Sequence, residues 1–122
     1  MTLKNLKLAL SKLKSGYKEN LSELERDGVI QRFEFTIELC WNSSKKILEA
    51  NGIKTDSPKD VFRELGKNGW ISNVEIWFDY LLARNKTNHI YNEQVALEIL
   101  NLIPQFIKDA ESLLSILEKH LK

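Results

Sequence analysis

The chain has 122 residues, 43% of them hydrophobic and 29% charged, and 18 basic against 17 acidic residues leave a formal net charge of +1. These figures fit one globular domain over residues 1–122 rather than a disordered chain. Near-neutral charge excludes a protein that holds nucleic acid by overall basicity, while a local basic cleft stays open.

Residues 3–25 read as a first helix, with Leu3, Leu6, Leu10, Leu13, Tyr17, Leu21 and Leu24 at three- and four-residue steps. Lys4, Lys7, Lys12, Lys14 and Lys18 fall between them on faces suited to water. Gly16 weakens the middle of this helix by up to ~1 kcal/mol. Asp27 and Gly28 mark a turn, and a second helix follows over about residues 29–50. Its stripe is Ile30, Phe33, Ile37, Cys40, Trp41, Ser44, Ile47 and Leu48, and Gly52 ends it. Phe35 and Leu39 lie off that stripe and predict a second neighbour, such as another subunit. Cys40, the single cysteine, reads as a buried small thiol, which fits a reducing cytoplasm.

Ser57 and Pro58 open a short third helix as N-cap and first residue, with Val61, Phe62 and Leu65 inward. Ser72 to Glu75 read as a capping box for a fourth helix carrying Val74, Trp77, Phe78, Leu81 and Leu82. That helix runs out at Arg84 and Asn85. Asn92 starts the last helix, whose apolar phase holds from Val95 through Leu117. Pro104 removes one of its backbone bonds and predicts a kink near Leu100 rather than a break. No strand pattern or repeat occurs. The fold predicted is all-α, an antiparallel up-and-down bundle of four long helices and one short one. No apolar run reaches the ~18 residues of a membrane span, and residues 1–4 lead straight into an amphipathic helix, so a cytoplasmic protein away from membranes is expected.

Polar chemistry is concentrated in Arg84, Asn85, Lys86, Thr87, Asn88, His89, Ile90 and Tyr91. In an unbroken helix Arg84 and His89 would point about 140° apart. Asn85 and Asn88 are weak helix formers, so a break is expected here that lets the side chains converge. A guanidinium clamps phosphate oxygens through two parallel hydrogen bonds, and an imidazole moves protons near neutral pH. The plainer alternative pairs Arg84 with Asp79 or Glu75 and leaves His89 to cap the next helix. There is no Gly-rich phosphate loop, no zinc spacing and no HExxH, so neither metal nor cofactor is expected. The other histidine, His120, lies in the last turn, where it complements the helix dipole.

Three ordered stretches resemble one family: residues 32–41 (RFEFTIELCW), residues 57–61 (SPKDV), and Arg84 and Asn85 followed by His89 and Tyr91. Together the likeness covers about residues 5–118. The chain is similar to nucleotidyltransferase substrate-binding-like proteins, the HepT branch of the HEPN superfamily; Asn88 stands where that family more often has Ser. The resemblance implies a HEPN-like helical-bundle homodimer and a minimal nucleotidyltransferase partner of the MntA type. Two roles are implied. One is the toxin of a toxin–antitoxin pair, a metal-independent ribonuclease acting on RNA and silenced by transfer of AMP to the motif tyrosine, here Tyr91. The other is a non-catalytic subunit that binds substrate for the nucleotidyltransferase. For cleavage, His89 would be general base or acid, Arg84 the phosphate clamp, Asn85 a hydrogen-bonding positioner and Tyr91 a cleft-wall residue and AMP acceptor. One His and one Arg per subunit are few for this chemistry, and a two-fold dimer would supply two of each.

Overall fold

A computed structural model describes residues 2–122 as an all-helical bundle. Its helices are α1 (Lys4–Gly16), α2 (Glu23–Ala50), α3 (Pro58–Lys67), α4 (Val74–Asn85) and α5 (Glu93–Lys119), with a 3₁₀ turn at Thr87–His89 between the last two. The 28-residue α2 and 27-residue α5 pack on each other and carry α1 along one side. Helices α3 and α4 pack together and close over α2.

The first boundary differs from expectation. The chain leaves helix after Gly16, and α2 starts at Glu23, so Asp27 and Gly28 lie inside a helix rather than in a turn. Ser22 decides this through a reciprocal capping box. The Glu25 amide donates to Ser22 Oγ at 3.2 Å, and the Ser22 amide donates to Glu25 Oε1 at 2.9 Å. Leu24 is exposed, although it continues the leucine phase of α1. Gly16 has its own reason to be small. Arg32 reaches from α2 to donate to the Lys12 carbonyl at 2.9 Å, and a β-carbon on Gly16 would meet its guanidinium.

Two further details shift. Asn73, not Ser72, caps α4, its side chain accepting from the Ile76 amide at 3.1 Å. The inward face of α4 includes Tyr80, which is fully buried, while Phe78 is half-buried and Leu82 exposed. Burial of a tyrosine requires a partner for its hydroxyl, and Asp109 of α5 accepts it at 2.5 Å. Burial and the nearby Asp109 carboxylate push the Tyr80 phenol far above its ordinary range. Around it, Phe33, Trp77 and Phe106 make edge-to-face contacts with centroids 4.9–5.9 Å apart, and Phe62 stacks on Trp77 at 4.8 Å. Such pairs contribute ~0.5–1.5 kcal/mol each beyond area burial, and here they fix α4 against α2 and α5.

Helix α5 runs without interruption through Pro104, so the apolar phase on both sides outweighs the lost bond. Cys40 is fully buried, and burial alone raises its thiol pKa well above the ordinary value. His120 ends α5 and stacks on Trp70 with centroids 3.9 Å apart. No described helix is long and apolar enough to cross a membrane.

Candidate functional site

The expected helix break is present. Helix α4 stops at Asn85, the amide of His89 donates to the Lys86 carbonyl at 2.9 Å, and the amide of Asn92 donates to the His89 carbonyl at 3.0 Å. Asn92 then caps α5, its side chain accepting from Gln94 at 3.0 Å and from Val95 at 3.3 Å. Asn92, and not His89, therefore serves as the cap.

The turn sorts the polar side chains into two clusters. The first faces α2. Arg84 is half-buried, and its Nη1 pairs with Glu38 Oε1, while its Nε donates to Asn85 Oδ1 at 3.1 Å. Trp41 Nε1 donates to the other Glu38 oxygen at 2.9 Å. One turn earlier on α2, Glu34 meets the Thr87 hydroxyl, which also lies 2.9 Å from the Arg84 carbonyl oxygen. Glu34, Glu38, Arg84, Asn85, Thr87 and Asn88 line an open pocket of about 350 Å³. The second cluster faces water. His89 Nδ1 lies 3.2 Å from the Tyr91 hydroxyl, and the two rings meet edge to face with centroids 5.8 Å apart. Both side chains are exposed, Tyr91 at 84%.

The four residues expected at the site thus fall on one short segment but not in one cleft of a single protomer. Asn85 is joined to Arg84, and His89 to Tyr91, while His89 is not among the residues around the Arg84 pocket. Arg84 finds its partner on α2 rather than in Asp79 or Glu75 of its own helix. Glu34, Glu38 and Thr87 lie in stretches the sequence singled out, but none of them was given a role at the site. The available signal was two carboxylates one turn apart, beside Trp41, in the apolar stretch from Val29 to Trp41.

Chemically, the first cluster offers a permanent cation paired with the Glu38 carboxylate, with Glu34 on the same pocket, and the second an imidazole next to an accessible phenol. No three His, Cys, Asp or Glu side chains gather as a metal site would require among the described residues.

Comparison with known proteins gives this geometry a context. The family described as nucleotidyltransferase substrate binding protein like matches residues 1–119. A Haemophilus influenzae protein named "Probable ribonuclease HepT" is 34% identical over 92 residues, which span 71% of this chain and 63% of the relative. A crystal structure from Thermus thermophilus superposes with a TM-score of 0.88 at 33% identity, covering 92% of this chain and 98% of that one. A second structure, from Haemophilus influenzae and described as revealing the fold of a substrate binding domain of a nucleotidyltransferase, superposes with a TM-score of 0.85 at 27% identity, covering 96% and 99%. Family match, relative and fold agree, and the chain belongs to the nucleotidyltransferase substrate-binding-like proteins.

Proposed function

We propose that this chain is a HEPN-type toxin, a metal-independent endoribonuclease that acts as a homodimer and is silenced when a partner nucleotidyltransferase transfers AMP to Tyr91. The observation that carries this is the exposed His89–Tyr91 pair. Of three tyrosines, Tyr80 is buried and Tyr17 half-buried, which leaves Tyr91 as the accessible acceptor. In cleavage, an imidazole takes the proton of a 2′-hydroxyl, the 2′-oxygen attacks phosphorus, and the bond to the 5′-oxygen breaks as an acid protonates it. Arg84 supplies positive charge for the phosphorane. The second acid–base group comes from the other subunit. Leu8, Phe35 and Leu39, with Glu38, border an α1–α2 groove, so the apolar face that would meet a second copy runs up to the Arg84 cluster. In silencing, the Tyr91 oxygen attacks the α-phosphorus of ATP and pyrophosphate leaves, with His89 placed to accept the phenolic proton. The resulting phosphodiester is bulky and negative where RNA phosphate would lie.

The test is cleavage of a single-stranded RNA by purified protein in excess chelator. Slow cleavage is expected, leaving 2′,3′-cyclic phosphate ends, and His89→Ala should lower the rate by ~10²–10⁴. Undiminished activity in His89→Ala would point to a contaminating nuclease.

A non-catalytic substrate-binding subunit is the second possibility, and one observation favours it. Glu38 already occupies Arg84, and Glu34 and Glu38 put two carboxylates on the pocket that an anion would enter. That subunit would bind the nucleotidyltransferase, and the same assay would show no RNA cleavage.

A further inference from the structure

A second depression adjoins the Arg84 pocket. It lies between the start of α3 and the outer face of α4 and holds about 400 Å³. Lys59 borders one side, Phe78 and Leu82 line it, and Arg84 and Asn85 close one end. Arg84 and Asn85 are thus shared between the two depressions.

Two cations flank its aromatic wall. Lys59 Nζ stands 5.4 Å from the centre of the Phe78 ring, and the Arg63 guanidinium carbon stands 5.5 Å from it. Both side chains are exposed, and neither meets a carboxylate among the described residues. Lys59 and Arg63 sit four residues apart on α3, where like charges repel. The Phe78 ring attracts both by cation–π interaction, with Lys59 lining the groove and Arg63 standing beside its aromatic wall. Asp79 is the one carboxylate on the groove, and it pairs with neither. Charges placed together, unpaired and fixed beside an apolar floor are suited to an anionic chain.

We propose that this groove binds the phosphodiester backbone of single-stranded RNA as it leads into the Arg84 site, with Lys59 and Arg63 each meeting a phosphate. This rests on the ribonuclease function for its direction towards Arg84, but not for its chemistry. Lys59 and Arg84 line the groove and Arg63 stands beside its Phe78 wall, and several cations suit a chain of phosphates better than the single charged end of a free nucleotide. The apolar wall of Leu81, Leu82 and Pro58 accepts riboses and bases without reading sequence.

The test uses the full chain and a fluorescent 12-nucleotide 2′-O-methyl RNA, which cannot be cleaved through its 2′-oxygen. K59Q/R63Q should weaken binding at least tenfold and reduce the salt slope by about 1.4, at roughly 0.7 per lost phosphate contact. K59E/R63E should weaken it further. K46Q/K108Q removes the same charge from exposed sites elsewhere and should leave affinity unchanged. Equal affinity in K59Q/R63Q, equal loss in K46Q/K108Q, or no binding by the wild type would overturn the proposal. So would AMP alone competing as tightly as the strand, which would make the groove a free-nucleotide pocket. Loss of a co-purifying nucleotidyltransferase from K59E/R63E with RNA affinity intact would assign the groove to protein and also overturn it. Because the probe is uncleavable, a chain that cuts no RNA still yields a clear answer here. A chain that cuts RNA but binds the probe independently of the groove sinks this inference alone.

Discussion

Arg84 at the end of α4 is paired with Glu38 in the middle of α2, 46 residues away in sequence. The pair ties the candidate site to the longest helix and also neutralises the cation that phosphate would need. Both side chains are partly exposed, at 25% and 35%, so the pair contributes no more than about 1 kcal/mol of stability. Glu38→Gln should therefore lower the unfolding midpoint by only roughly 3–5 °C. The same change should tighten binding of an uncleavable RNA, because the Arg84 fork loses its competing carboxylate. Weaker RNA binding in a folded Glu38→Gln would show that Glu38 orients Arg84 for phosphate rather than competing with it.

Tyr91→Phe should leave stability within about 0.5 kcal/mol, since the ring is 84% exposed. It should also abolish AMP incorporation while RNA cleavage persists. Mass spectrometry after incubation with ATP and the nucleotidyltransferase reads the first, and a gel assay reads the second. AMP found on Tyr91→Phe would move the acceptor elsewhere.

His89→Ala should slow AMP transfer to an intact Tyr91, because the imidazole 3.2 Å from the phenol is the nearest proton acceptor to that oxygen. An unchanged transfer rate in His89→Ala would leave His89 with no part in silencing.

Gly28→Ala should stabilise the chain by about 0.5–1 kcal/mol. Gly28 lies inside α2, and an added β-carbon meets nothing within 4 Å. Thermal unfolding measures this, and destabilisation would mean that the helix does not continue through residues 23–29.

The Glu25 carboxyl is lowered to about 2, first by the Ser22 backbone amide and then by Lys18. A depressed carboxyl contributes stability above its unfolded value and loses it as pH falls through the folded one. The start of α2 should therefore stay capped at pH 5 and loosen between about pH 4 and 2. Amide chemical shifts of residues 22–26 report it, and Glu25→Gln should remove most of that titration.

The boundaries of α3, α4 and α5 were legible because local chemistry sets them. Pro58 follows a serine cap, and asparagines stand at both ends of the polar turn. The α1–α2 boundary was not. Leu21 and Leu24 keep helical phase across the real break, and Gly28 imitates a turn although a helix tolerates it at ~1 kcal/mol. Arg84, Asn85, His89 and Tyr91 stood out through their polar density and through the family motif they match. Their partners did not, since Glu38 and Glu34 lie 46 and 53 residues from the groups they meet, and no local periodicity encodes such pairings. Tyr80 escaped notice because its burial depends on Asp109, which also lies far along the chain.

The 3₁₀ turn between α4 and α5 also has a kinetic consequence. Single backbone bonds at His89 and Asn92 link it to its neighbours, and Thr87 meets Glu34 beneath it, whereas the helices on either side are laddered and capped. It is thus a local opening unit whose amides should exchange with solvent deuterium well before those of α4 and α5. The His89–Tyr91 pair could then swing towards an incoming enzyme while the aromatic core stays closed.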